Sequence, residues 1–295
     1  MLSSAWLRLA LAFASISALS AQNILLTNDD GWAVAQIRAQ YDALTGAEFN
    51  VVLLCPAQNQ SGNGSDTTAP TMLTEPCEFN TCPTGSPPEG YNSSNPRINY
   101  VNAYPVDAVH YGIKTLSPEF FNKNSDFVVS GPNIGSISDE PITFHGGAAC
   151  EAAKLGVPST AFSSHTGAQV PYTILESDPN AKYSESSRIY SALTVNYTKT
   201  ILKPGVPPLP KGIIVNINYH RIDMCRAPSD YKWVFSLIGA KPLWAPIHPF
   251  STVASRPALR LNHPTRRFRL RRSSTPSTVR DAYSKLGTVV PMPRA

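Results

Sequence analysis

Residues 23–31 read NILLTNDDG, a short apolar run followed by Thr27, Asn28, Asp29, Asp30 and Gly31. A run that is apolar without alternation suits a parallel strand covered on both faces. The polar residues after it, ending on glycine, have the composition of a tight turn at a strand's carboxyl end. Alone, Asp-Asp-Gly reads as an ordinary turn. The same arrangement recurs along the chain. Residues 51–54 run into CPAQNQSGNGS, with Asn59, Ser61 and Gly62, and residues 127–129 run into Ser130-Gly131-Pro132-Asn133-Ile134-Gly135. Further apolar runs span 160–162 and 213–217. Helix-like stretches lie at 33–44, 106–116, 146–155 and 186–202, the last with Ile189, Leu193, Tyr197 and Ile201 on one face. Alternating strands and helices predict an α/β chain, a Rossmann-like three-layer αβα sandwich with a mostly parallel sheet. The polar stretch 58–99 is too long for an idle loop and is expected to carry short strands and shape the site.

In an open parallel sheet, ligands bind beyond the carboxyl ends of the strands. Three strand ends here deliver carboxylates, a hydroxyl and an amide to one rim. Adjacent carboxylates repel unless a cation or proton neutralises them. An all-oxygen set without histidine or thiolate suits a hard divalent ion, Mg²⁺, Mn²⁺ or Ca²⁺, and such an ion, Mg²⁺ or Mn²⁺ above all, suits phosphate ligands. Glycines beside it let backbone N–H groups approach an anion.

ILLTNDDG resembles the opening of the SurE survival-protein family, PAQNQSGNGS is similar to that family's Asn-x-Ser-Gly segment, and VVSGPNIG resembles its Ser-Gly-x-Asn-x-Gly segment. CEFNTCPTGSPPEGYN and NYVNAYPVDAVHYGIKTLSPEFF are similar to secreted fungal members. The resemblance covers about 23–238. It implies a metal-dependent phosphomonoesterase that hydrolyses nucleoside monophosphates or other small phosphate esters with a positioned water. It places the metal ligands on Asp29, Asp30, Ser61 and Asn133, with Asp29 or Asp30 also contacting the water. Asn28, Gly62 and Gly135 would flank the anion, together with His145 and Gly146 at a helix N-terminus. The chain departs from the family at three positions. Ile137 replaces a second asparagine, and His145-Gly146-Gly147 replaces Ser-Gly-Thr, so two hydroxyls are missing. His145 reads equally as a replacement cation or as a helix-start residue without chemical duty. The alternative to an active hydrolase is therefore a non-catalytic member that keeps the metal and has lost its phosphate site.

Residues 1–21 contain Arg8, an apolar run from 9 to 19 and small residues near Ser20 and Ala21, the order of a cleaved secretory leader. The run is too short to span a bilayer comfortably, so no stable membrane span is expected. Secretion favours a small-loop disulfide between Cys77 and Cys82, and suits the sequons at Asn59, Asn63, Asn92 and Asn196. The domain is expected over 22–240, with 13 basic against 19 acidic residues. Residues 241–295 carry 11 basic residues against one acid and read as a disordered tail, either genuine or the product of an altered reading frame. That tail lacks aromatics interleaved with its charge, so no nucleic-acid partner is expected. A homodimer stays open. The chain has no zinc-type cysteine spacing, no G-x-S-x-G elbow and no G-x-G-x-x-G after the first strand.

Overall fold

The computed structural model describes residues 21–135, 147–205, 208–237 and 287–293. In chain order, β1 (Asn23–Thr27) leads through α1 (Ala35–Gly46) to β2 (Asn50–Pro56). The polar excursion then yields a hairpin, β3 (Glu89–Asn92) and β4 (Asn95–Val101). Next come α2 (Pro105–Tyr111), a wide helical turn at Gly112–Leu116, and α3 (Ser117–Phe121). β5 (Phe127–Ile134), α4 (Gly147–Lys154), β6 (Ser159–Ser164), α5 (Ile174–Ser177), α6 (Lys182–Ile201) and β7 (Ile214–Tyr219) follow. β8 (Tyr231–Leu237) and β9 (Gly287–Pro293) complete the described elements.

Among the described residues the strands form one sheet, in the order β3-β4-β2-β1-β5-β6-β7-β9-β8. β4 through β9 run parallel, and the edge strands β3 and β8 pair antiparallel. Alternate residues of each strand face opposite layers. Ile24 and Leu26 pack with Ile37 and Leu44 of α1 and Ile189 and Leu193 of α6. Leu25, Val52 and Val128 pack with Ala108 and Val109 of α2 and Ala148 and Ala152 of α4. This two-sided cover, at about 1.5–3 kcal/mol per fully buried large aliphatic side chain, is why the strands are apolar without alternation. The fold is the α/β sandwich expected.

β1 steps to β2 on one side, and β5 returns on the other. The topological switch point therefore lies between β1 and β5, where a crevice opens beyond the strand ends. That crevice is where NDDG and SGPNIG meet.

The excursion contributes more than short strands. β4 is a full parallel neighbour of β2, hidden in the sequence by Pro96 and Arg97 at its start. The last helix begins at Lys182, four residues before the expected start, through a polar first turn in which the buried Ser184 donates to Ile174 O at 3.2 Å. The expectation of a disordered tail over 241–295 is corrected at its end: Gly287–Pro293 pairs with both β7 and β8. Thr288, Val289 and Val290 are β-branched and suit a strand, a local signal outweighed in the sequence by the surrounding basic residues. Residues 241–286 and the leader at 1–20 lie outside the described residues.

Candidate metal and phosphate site

The peptide chain leaves β1 at Thr27 and turns at once. Asn28 Oδ1 accepts the Gly31 N–H at 3.2 Å, so Asn28 closes the turn around the two aspartates. Gly31 sits at φ 111°, and a Cβ there would lie 2.3 Å from a carboxylate oxygen of Glu78. Only glycine meets both demands.

Asp30 is 1 % exposed and heavily bonded. Its Oδ2 accepts the Ile134 N–H at 2.7 Å, and its Oδ1 accepts from Gln169 Nε2 at 2.8 Å and from Ser61 Oγ at 3.4 Å. The loops after β2 and β6 and the end of β5 are thereby tied to one carboxylate. Burial pushes Asp30 well above the usual carboxylate range, and neighbouring Asp29 adds to the rise; the Ile134 N–H opposes it. A buried carboxylate beside another carboxylate wants a positive charge. Asp29 is also largely buried, and its carbonyl accepts the Gln60 N–H at 2.7 Å, which holds the loop bearing Ser61 against the turn. Ser61 and Gly62 are exposed on that loop.

Asn133 lies beyond a bulge in β5 between Ser130 and Asn133, where pairing with β6 skips. Bulges re-aim side chains. Asn133 is 4 % exposed, and its Oδ1 has no hydrogen-bond partner. Its backbone carbonyl lies 2.8 Å from Ser164 Oγ, and the single hydroxyl proton of Ser164 is shared between that carbonyl and Gln36 Oε1 at 3.0 Å. Asn28 Nδ2 is likewise buried and unpartnered. Orphaned buried polar atoms at a strand-end crevice call for an explanation, and a bound cation and anion supply one. Among the described residues no three His, Cys, Asp or Glu side chains form a metal cluster. The oxygen set here is two carboxylates completed by a hydroxyl and an amide, the hard-donor chemistry of Mg²⁺ or Mn²⁺.

The Gly135 N–H, just past β5, donates to Ser164 O at 3.0 Å. His145, Gly146 and Ile137 lie outside the described residues. Gly147, which opens α4, is described. A Cβ there would lie 1.9 Å from Gly64 O, so glycine lets α4 press against the Ser61 loop. The missing hydroxyl at this position is thus tied to close packing.

Sequence reasoning missed three groups. Gln169 reaches Asp30 across 139 positions, and nothing in the sequence pairs them. Glu78 is 7 % exposed, and its Oε2 accepts the Ala33 N–H at 3.1 Å. Burial raises its carboxyl to about 7, against the pull of the Ala33 N–H and Arg38. Its neighbour Cys77 is joined to Cys82 in a disulfide. His165 and His220, which share no telling sequence spacing, stack with ring centroids 6.4 Å apart just past β6 and β7 on the same rim. Their placement directly after apolar strands was the available signal. His110 is exposed on α2. Of the sequon asparagines, Asn59 and Asn196 are exposed and Asn63 and Asn92 are half-buried. Asn59 Oδ1 accepts the Ser61 N–H at 2.8 Å.

Residues 24–232 match the family described as "Survival protein SurE". An acid phosphatase of Yarrowia lipolytica is 34% identical over 209 residues, covering 67% of this chain and 57% of that protein. A 5'-nucleotidase SurE of Methanocella arvoryzae is 31% identical over 201 residues, covering 66% and 65%. The chain therefore spans less than two thirds of the length of either relative. The crystal structure of the Aquifex aeolicus SurE protein superposes with a TM-score of 0.49 at 21% identity, over 92% of this chain and 93% of that one.

Proposed function

The chain belongs to the SurE family, and from that footing we propose that it is a metal-dependent phosphomonoester hydrolase acting on nucleoside monophosphates or similar small esters. The observation that carries this reading is the crevice at the switch point. There the buried Asp30, the unpartnered Asn133 Oδ1 and the Ser61 hydroxyl converge from three strand ends. The names of two relatives, an acid phosphatase and a 5'-nucleotidase, support the reaction class.

Asp29, Asp30, Ser61 and Asn133 would hold a divalent ion, Mg²⁺ or Mn²⁺. When bound, that ion neutralises the paired carboxylates and polarises a phosphoryl oxygen. The chain's own groups do the rest. Both Asp30 oxygens already accept protein hydrogen bonds, so Asp30 is the fixed anchor. Asp29 or Asp30 accepts a hydrogen bond from the attacking water and orients it in line with the leaving group. Asn28 Nδ2, buried and unpartnered, donates to a phosphoryl oxygen. Gly62, on the open loop after β2, presents its N–H to the same anion. Tight coupling of these three segments through Asp30 keeps these groups in register before substrate arrives.

The Cys77–Cys82 disulfide supports action in an oxidising compartment outside the cytosol. No helix among the described residues is long and apolar enough to cross a membrane.

The test is phosphate release from AMP and from an aryl phosphate at pH 5 to 8, with Mg²⁺, Mn²⁺ or EDTA, beside Asp30→Asn. Metal-dependent turnover lost in the variant is the expected result. Absence of turnover in folded protein with every metal would instead favour a non-catalytic, metal-binding member. The packing of Gly147 against Gly64, which leaves no hydroxyl at the start of α4, is the observation on that side.

A further inference from the structure

The loop from Cys77 to Cys82 belongs to the polar excursion, yet it reaches under the turn that carries the aspartates. The Cys77 N–H donates to Cys82 O at 2.9 Å, inside the disulfide-closed ring. Phe79 and Asn80 both have positive φ, 53° and 58°, a conformation that asparagine tolerates and that is costly for phenylalanine. The covalent ring sustains it. Glu78 is fixed on every backbone group. Its N–H donates to Ala57 O at 2.9 Å, and its carbonyl accepts from the Thr81 N–H at 3.2 Å and Thr81 Oγ1 at 2.7 Å. The carboxylate is thereby directed beneath Gly31, where it accepts the Ala33 N–H. Arg38 donates to Trp32 O at 2.7 Å and lies over the rings of Trp32 and Tyr172. The end of the turn is thus held at Trp32 by Arg38 and at Ala33 by Glu78.

We infer that the Cys77–Cys82 disulfide is a clamp that sets Glu78 under the Asn28–Gly31 turn, making Glu78 a positioning residue for the cation held by Asp29 and Asp30. The inference rests on the metal-site reading above. Glu78 touches neither cation nor substrate; it acts by fixing the backbone from which both aspartates project. Opening the ring with a dithiol tests this directly. One reductant thiolate attacks a cystine sulfur, the S–S bond breaks, and the second thiol displaces the mixed disulfide. The products are two cysteine thiols and the cyclic oxidised reductant.

Two readouts separate the clamp from the function. Hydrogen exchange of peptides covering 28–34 reports the turn without any metal. Mn²⁺ titration, followed by electron paramagnetic resonance, reports the site without turnover. The samples are the oxidised chain, the dithiol-reduced chain, Cys77→Ser/Cys82→Ser, Glu78→Ala and Glu78→Gln. Circular dichroism checks that each is folded, and the reduced wild type stands in should the serine variant misfold. Exchange at 28–34 is expected to speed up in the reduced, serine and alanine samples, with Mn²⁺ affinity falling about tenfold or more, the scale of lost supporting contacts around a metal. Glu78→Gln keeps an acceptor for the Ala33 N–H and is expected to fall less than Glu78→Ala. Unchanged exchange on reduction would overturn the clamp. Faster exchange with unchanged Mn²⁺ affinity would overturn the positioning role. If the oxidised wild type binds no Mn²⁺, the metal-site reading fails and the positioning role with it, while the exchange data still judge the clamp.

Discussion

Asp30 and Glu78 hold carboxylates where burial opposes their charge. Both are shifted upward, Asp30 by burial and then by Asp29, Glu78 by burial to about 7. In the metal-free protein the folded state therefore keeps protons that the unfolded chain has released. The sign follows: this contribution to stability is full below the ordinary carboxylate range and is lost as pH rises through about 7. EDTA-treated protein is expected to melt at progressively lower temperature from pH 5 to 8, with a shallower decline in Glu78→Gln. Saturating Mn²⁺, which replaces the proton as counter-charge, should flatten the profile, and at 100 times its Kd it adds about 2.7 kcal/mol. A flat melting profile in EDTA would refute the assignment. Catalysis makes a second residue-scale prediction. Asp29→Asn, which leaves the hydrogen bonds of Asp30 in place, is expected to lower kcat on the order of 10²-fold or more while retaining more Mn²⁺ affinity than Asp30→Asn. Equal losses of affinity would refute Asp30 as the anchor of the site.

At the scale of elements, the site depends on how closely helix, loop and strand approach. α4 begins against the Ser61 loop, with Gly147 over Gly64 O, and beyond the bulge of β5 the Ile134 N–H reaches Asp30 in the turn after β1. Gly147→Ser would restore a hydroxyl resembling the family pattern, yet its Cβ has no room against a backbone oxygen. The expected outcome is a loss of about 1–3 kcal/mol, the usual penalty for overpacking, measured by urea denaturation, without a gain in phosphate affinity. A gain in affinity at unchanged stability would show that the α4 start tolerates what its geometry forbids. The bulge was invisible in the sequence, where Gly131-Pro132 reads as a plain loop. The motif around it was legible because all three strand ends carry the same kind of polar, glycine-rich residue.

Across the whole molecule, the sheet is wider than the apolar runs suggest. β9 lies between β7 and β8, and β8 joins the sheet through it. Removing 241–295 is therefore expected to cost more than a tail would. β8 would lose its pairing, and the melting temperature should drop by several degrees, at about 2–4 °C per kcal/mol for a domain of this size. An unchanged melting temperature in the truncated chain would mean that β9 adds nothing to the fold. The histidines that follow β6 and β7 show the same lesson: 55 positions apart in the chain, His165 and His220 stack because their strands are parallel neighbours.

Taken by itself, the order of residues determined the fold class and named the rim and the oxygen donors on which the proposed site is built. Apolar runs buried on two sides need no partner's identity to be recognised, and a strand end followed by Asp-Asp-Gly or Gly-Pro-Asn announces itself locally. Tertiary structure alone decided which groups serve the site from a distance. Gln169 reaches Asp30 from beyond β6, Glu78 reaches the turn from a disulfide ring, and the Gly135 N–H meets Ser164 O. Burial and hydrogen-bond satisfaction are properties of the assembled crevice. They depend on neighbours brought together by strand order, and no window along the chain contains them.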